Sequence, residues 1–133
     1  MISKISALGR PIDLSYLTNR ILVTVVLLAM AATLLYRLIS GAPFVEALFN
    51  AAAVSLTVFL TWSLGREFDP QSDWSAFVFL PFSFILAITA GNPAFMALVY
   101  ILLFNRVING TTGVKTKVTD YLLLLAIAAQ LFY

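Results

Sequence analysis

The densest group of side chains that could do chemistry lies between positions 65 and 75. It places three carboxylates within seven residues and an arginine beside them: Arg66, Glu67, Asp69 and Asp73. Carboxylate oxygens suit Mg²⁺, which in proteins often bridges to a phosphate. The segment is therefore a candidate Mg²⁺ site. The alternative is structural, because Asp69-Pro70 is a turn signal and Asp73 is a good N-cap for a following helix.

A second polar segment, residues 105–117, combines cations, hydroxyls and glycines. Its candidate ligand-binding residues are Asn105, Arg106, Asn109, Thr111, Thr112 and Lys115. A loop rich in Gly and Thr can present backbone N–H groups and hydroxyls to an anion, although the P-loop motif is absent. The alternative is a tight turn at Asn109-Gly110, flanked by charges that set the orientation of the chain in a membrane.

The two polar segments together predict carboxylates opposite cations and hydroxyls. A site for a lipid phosphate or diphosphate with Mg²⁺ requires this combination. Simple salt bridges between two loops would produce the same pattern, so the sequence leaves both interpretations open.

A third group of polar residues lies within an apolar stretch. Glu46, Asn50, Thr57 and Thr61 are spaced by four, seven and four residues, which puts them on one face of a helix. Polar groups at bilayer depth usually face the interior of a helix bundle. This polar stripe predicts an ion or proton path, a polar wall for a headgroup, or hydrogen bonds that hold neighbouring helices together.

The composition indicates that these groups work in a protein surrounded by lipid. Of 133 residues, 62% are hydrophobic and only 11% are charged, with a mean hydropathy of +1.00. So short a chain has too little interior to hide that much apolar surface from water. The absence of Cys and His excludes a disulfide, zinc held by these residues and haem held by imidazole. The scattered basic residues do not indicate nucleic-acid binding.

Five apolar stretches predict an all-α integral membrane protein, a compact bundle of about five transmembrane helices. The spans are about 21–39, 44–64, 74–90, 93–108 and 119–133. The first two reach the ~20 residues that a spanning helix needs. The third and fourth form a short hairpin that either crosses fully or re-enters, and five full crossings are the favoured interpretation. Residues 1–20 are predicted as an N-terminal interfacial arm before the helical domain, 21–133; the alternative is a partly ordered tail. Trp62 and Trp74 fall near span ends, as aromatic anchors would.

The basic residues predict the orientation. With the N-terminus in the cytoplasm, five spans leave seven of the eight basic residues inside: Lys4, Arg10, Arg20, Arg66, Arg106, Lys115 and Lys117. Only Arg37 lies on the other side, and the C-terminus emerges there too. Both polar segments then share the cytoplasmic face, whether or not the hairpin crosses.

These expectations support three functional hypotheses. The first is a cytoplasmic-face site for a phosphorylated lipid, with Glu67, Asp69 and Asp73 on Mg²⁺ and basic residues on the phosphate. The second is a small oligomeric transporter or channel that uses the polar stripe. The third is a non-catalytic membrane subunit or scaffold. The predicted partners are membrane lipids, with self-association or a partner membrane subunit as further expectations.

Overall fold

The computed structural model describes residues 12–69, 71–72, 74–90, 94–110, 115 and 117–132, and these form helices without any strand. In chain order the elements are α1 (Leu17–Ile39), α2 (Phe44–Phe68), a short 3₁₀ helix (Ser75–Phe77), α3 (Leu80–Ala90), α4 (Ala94–Asn109) and α5 (Val118–Phe132). The all-α prediction is confirmed for this part of the chain.

The central helix is α2. It packs against α1, the 3₁₀ helix, α3 and α4, while α5 packs against α4. Two buried clusters meet on α2. Leu22, Val58 and Trp62 belong to the first, and Leu64 and Leu102 belong to the second. Every element that could build a site between helices is therefore positioned by α2 or by a neighbour of α2.

The C-terminal end of α2 extends beyond the predicted span. The helix continues to Phe68, and the N–H of Asp69 donates to the carbonyl of Gly65. It ends there because a residue that precedes proline is disfavoured in the helical region. Asp69 is accordingly extended, with φ −132° and ψ 79°. Arg66 and Glu67 thus lie in the last turn of a helix rather than in a loop.

The region predicted as a single third span, 74–90, is divided. The 3₁₀ helix ends at Phe77, and α3 begins only at Leu80. Pro81 explains the interruption, because its ring clashes with the carbonyl four residues earlier in a continuous helix but is tolerated in a first turn. The 11 residues of α3 extend roughly 16 Å at 1.5 Å per residue, well short of a ~30 Å hydrocarbon core.

Within the described part of the chain, two helices are long and apolar enough to cross a membrane by length and composition, namely α1 and α2. Only 17% of the apolar window of α1 and 39% of that of α2 are buried. The core helix of a water-soluble protein would be mostly buried. Large apolar side chains such as Leu27, Phe49 and Leu56 are instead exposed.

Gly65 allows the 3₁₀ helix to lie directly on α2. A Cβ at this position would stand 2.8 Å from both Cα and Cβ of Ala76, which is fully buried. We expect Gly65→Ala to lower the free energy of unfolding by about 1–3 kcal/mol, as overpacking typically does. A detergent thermal melt measures the effect, with Ala31→Leu on the exposed face of α1 as the control. An increase in Tm, as helix propensity alone predicts for an open site, would contradict the contact.

Candidate functional site

A cavity of about 330 Å³ lies at the end of the molecule where α1 begins and where α2 and α4 end. Its wall combines two arginines, two carboxylates, hydroxyl and amide groups, and aromatic rings. The lining residues are Ile12, Asp13, Tyr16, Thr18, Asn19, Phe59, Trp62, Ser63, Arg66, Glu67 and Arg106. We call this space the polar cavity. Its volume falls in the range of small-molecule sites.

An ion pair joins α2 to α4 at this cavity. The Nε of Arg106 donates to Oε1 of Glu67 at 2.9 Å, and the side chains are only 14% and 3% exposed. Each side chain lies in the last turn or two of its helix, so helix ends and not loops fix the pair. A charge-assisted hydrogen bond in so dry a position is strong and strongly oriented.

Arg66 connects the polar cavity to the segment that follows α2. Its Nη1 donates to the carbonyl of Ser72 at 2.9 Å. The N–H of Ser72 in turn donates to Oδ1 of Asp69 at 3.3 Å, and the Ser72 Oγ accepts the N–H of Ser75 at 3.2 Å. Arg66 therefore holds the start of the 3₁₀ helix while its side chain forms part of the cavity wall.

The segment before α1 contributes the other carboxylate of the cavity. Oδ1 of Asp13 accepts the N–H of Ser15 at 2.9 Å, and Asn19 Nδ2 donates to the Asp13 carbonyl at 2.7 Å. The hydrogen bonds from Ser15, the backbone N–H first, hold the pKa of the Asp13 carboxyl below its ordinary value. Asp13 is therefore negatively charged at neutral pH.

Trp62 is not the exposed anchor that the sequence suggested. It is 9% exposed, with its ring 6.5 Å from the rings of both Phe59 and Phe77. It turns inward because its position on α2 faces α1 and the 3₁₀ helix. Its buried indole N–H has no hydrogen-bond acceptor among the described residues, and such donors are normally paired.

The structure brings part of the predicted site together and separates the rest. Arg66, Glu67 and Arg106 line one cavity, so the two polar segments do meet. The described wall does not include Asp69, which follows α2, half-buried Asn105, or exposed Asn109 and Lys115. Asp73, Thr111 and Thr112 lie outside the described residues.

A metal site is not apparent in the part of the chain that is described. There, no three carboxylate, histidine or cysteine side chains are grouped so that they could hold an ion. Glu67 is engaged by Arg106, and Asp69 accepts the backbone N–H of Ser72. The predicted Mg²⁺ site, which also needs Asp73, stays a prediction.

The polar stripe of α2 is largely engaged in local hydrogen bonds. Thr57 and Thr61 each donate at 2.9 Å to the carbonyl four residues earlier. Asn50 donates to the carbonyl of Glu46 at 3.0 Å and accepts from Arg37 of α1 at 3.3 Å. These contacts are typical of helix packing. The transport hypothesis stays a prediction.

Several cavity residues were not singled out from the sequence: Ile12, Asp13, Tyr16, Thr18, Asn19, Phe59 and Ser63. One signal was present on α2, where Phe59, Ser63 and Arg66 follow the i, i+4, i+7 spacing of a single helix face. Asp13 and Asn19 carried no comparable signal, because Asp13 lies in an irregular segment before α1 and Asn19 is a polar residue in the first turn of α1.

Comparison with known proteins gives no relative from which a function could be transferred. No protein-family model matches this chain, and no curated protein or solved structure matches it either.

Proposed function

We propose that this protein is a multi-pass membrane protein whose polar cavity binds the phosphorylated headgroup of a lipid at the cytoplasmic face. The observation that carries the proposal is the position of Arg66 and Arg106 in one cavity at the end of a strongly apolar helix bundle. Guanidinium groups recognise phosphate through directed, charge-assisted hydrogen bonds.

The exposed apolar surface supports the membrane part of the proposal. Large exposed apolar patches on a soluble monomer are rare, and here large apolar side chains are exposed along both of the longest helices. The polar cavity adjoins these helices at one end, which corresponds to headgroup depth when α1 and α2 cross the bilayer.

The orientation rests on the positive-inside rule. Arg66 and Arg106 line the cavity beside the first turns of α1, and Arg20 lies in that same part of α1. Because α3 is short, it and α4 either re-enter or cross where the bilayer is thinned. Both geometries return the segments after α2 and α4 to the same face.

The test is a lipid titration of the detergent-purified protein by native mass spectrometry. Phospholipids should bind more tightly than diacylglycerol with the same acyl chains. We expect Arg66→Gln to weaken phospholipid binding at least about tenfold, because a charge-assisted hydrogen bond to phosphate is worth roughly 1.5–3 kcal/mol. Diacylglycerol binding should be unchanged.

Arg20→Gln is the matched control. Arg20 is exposed near the start of α1, at the cavity end of the molecule, but it is not among the residues that line the cavity. An equal loss in both variants would indicate general attraction to a basic surface and would contradict a specific site. The titration is repeated in EDTA to test the Mg²⁺ part of the hypothesis. Loss of binding in EDTA, reproduced by Asp69→Asn, would support it.

A further inference from the structure

The charge balance of the polar cavity narrows the choice of ligand. Among the described residues, two arginines and two carboxylates line it, Arg66, Arg106, Asp13 and Glu67, so the formal charge of this part of the wall is zero. A diphosphate or another multiply charged anion would meet both carboxylates at close range without net compensation. A headgroup that carries one charge of each sign matches such a wall better.

One of the two carboxylates comes from a different element than the arginines. Asp13 belongs to the segment before α1, whereas the arginines belong to the ends of α2 and α4. The Ser15 N–H and the Asn19 side chain both donate hydrogen bonds to Asp13 and fix the turn that carries it. A ligand that contacts Asp13 and the guanidinium groups at the same time must therefore hold its own cation and anion apart.

A neutral donor in the same wall is a second, independent sign of a ligand. Trp62 lines the cavity and is nine-tenths buried, and its indole N–H has no acceptor within the described chain. An unpaired buried donor is costly. An ester or phosphate oxygen of a bound headgroup is the kind of acceptor that would satisfy it.

We infer that the polar cavity selects a zwitterionic aminophosphate headgroup, of the phosphoethanolamine type. Arg66 and Arg106 bind the phosphate, Asp13 binds the ammonium group, and the indole N–H of Trp62 donates to a headgroup oxygen. This inference rests on the proposed function and adds the chemical class of its ligand.

The test compares phosphatidylethanolamine with phosphatidylglycerol of the same acyl chains, again by native mass spectrometry. The wild-type protein should bind the ethanolamine lipid about fivefold more tightly, the scale of one exposed ion pair. Nonspecific attraction to basic residues favours the anionic glycerol lipid, so this preference cannot arise from surface charge.

Asp13→Asn should abolish the preference without unfolding the turn, because an asparagine Oδ1 can still accept the Ser15 N–H. Glu46→Gln makes the same change of charge at the other end of α2, where Glu46 is exposed, and should retain the preference. A wild-type preference for phosphatidylglycerol, or an unchanged ratio in Asp13→Asn, would overturn the inference. Failure of both lipids to exceed diacylglycerol would instead overturn the proposed function.

Discussion

Replacing Arg106 by glutamine should lower the free energy of unfolding by about 3–5 kcal/mol, the usual effect of removing one partner of a buried ion pair. The substitution takes the guanidinium away from a Glu67 side chain that is 3% exposed. The carboxylate then stays in a dry position without its charge partner. Glu67→Gln should also destabilise the protein, because it leaves the guanidinium without its carboxylate.

A double-mutant cycle separates the ion pair from other effects of each substitution. The loss in Glu67→Gln/Arg106→Gln should be smaller than the sum of the two single losses, since the double variant leaves neither charge unpaired. Denaturant titration in a mild detergent measures all four proteins. Arg20→Gln, at an exposed site on α1, is the control and should be near neutral. Additive losses would show that Glu67 and Arg106 do not depend on each other.

A charge in the middle of α1 should prevent stable insertion into a membrane. Leu27 lies near the centre of the helix with 60% of its side chain exposed. An arginine at the centre of a spanning helix costs about 2.5–3.5 kcal/mol on the insertion scale. We therefore expect Leu27→Arg to reduce sharply the fraction of protein that resists alkaline extraction from membranes.

The matched control for Leu27→Arg is Ile39→Arg. Ile39 is the last residue of α1 and is 85% exposed, so an arginine there reaches the interface and should leave insertion nearly unchanged. In a water-soluble protein both positions would accept arginine equally well, because surface substitutions are usually near neutral. Equal behaviour of the two variants would contradict the membrane proposal.

The helices were predictable because their signals are local. The lengths of the apolar stretches predicted the approximate bounds of α1, α4 and α5. The divided third span was harder to predict. Pro81 marks the start of a helix only if the residues before it are not helical. The packing of Ala76 on Gly65 determines the conformation of those residues.

Only the part of the site that depends on membrane topology could be predicted from the sequence. Positive-inside reasoning placed Arg66 and Arg106 at one end, and the structure puts both in the wall of one cavity. The sequence could not show that Glu67 faces Arg106 rather than an ion, because that depends on how α2 rotates against α4. The contribution of Asp13 likewise depends on a turn whose position no periodicity reveals.

The pairing of Glu67 with Arg106 also has a consequence for the order of events during synthesis. The two residues are 39 positions apart, and α2 leaves the ribosome well before α4. A nascent α1–α2 hairpin therefore carries Glu67 without its Arg106 partner until α4 docks. The arrival of Arg106 closes the cavity wall and removes that carboxylate from water, so the last helix to join α2 also completes the site. Under the proposed function, we expect headgroup binding only in chains that have finished assembling around α2.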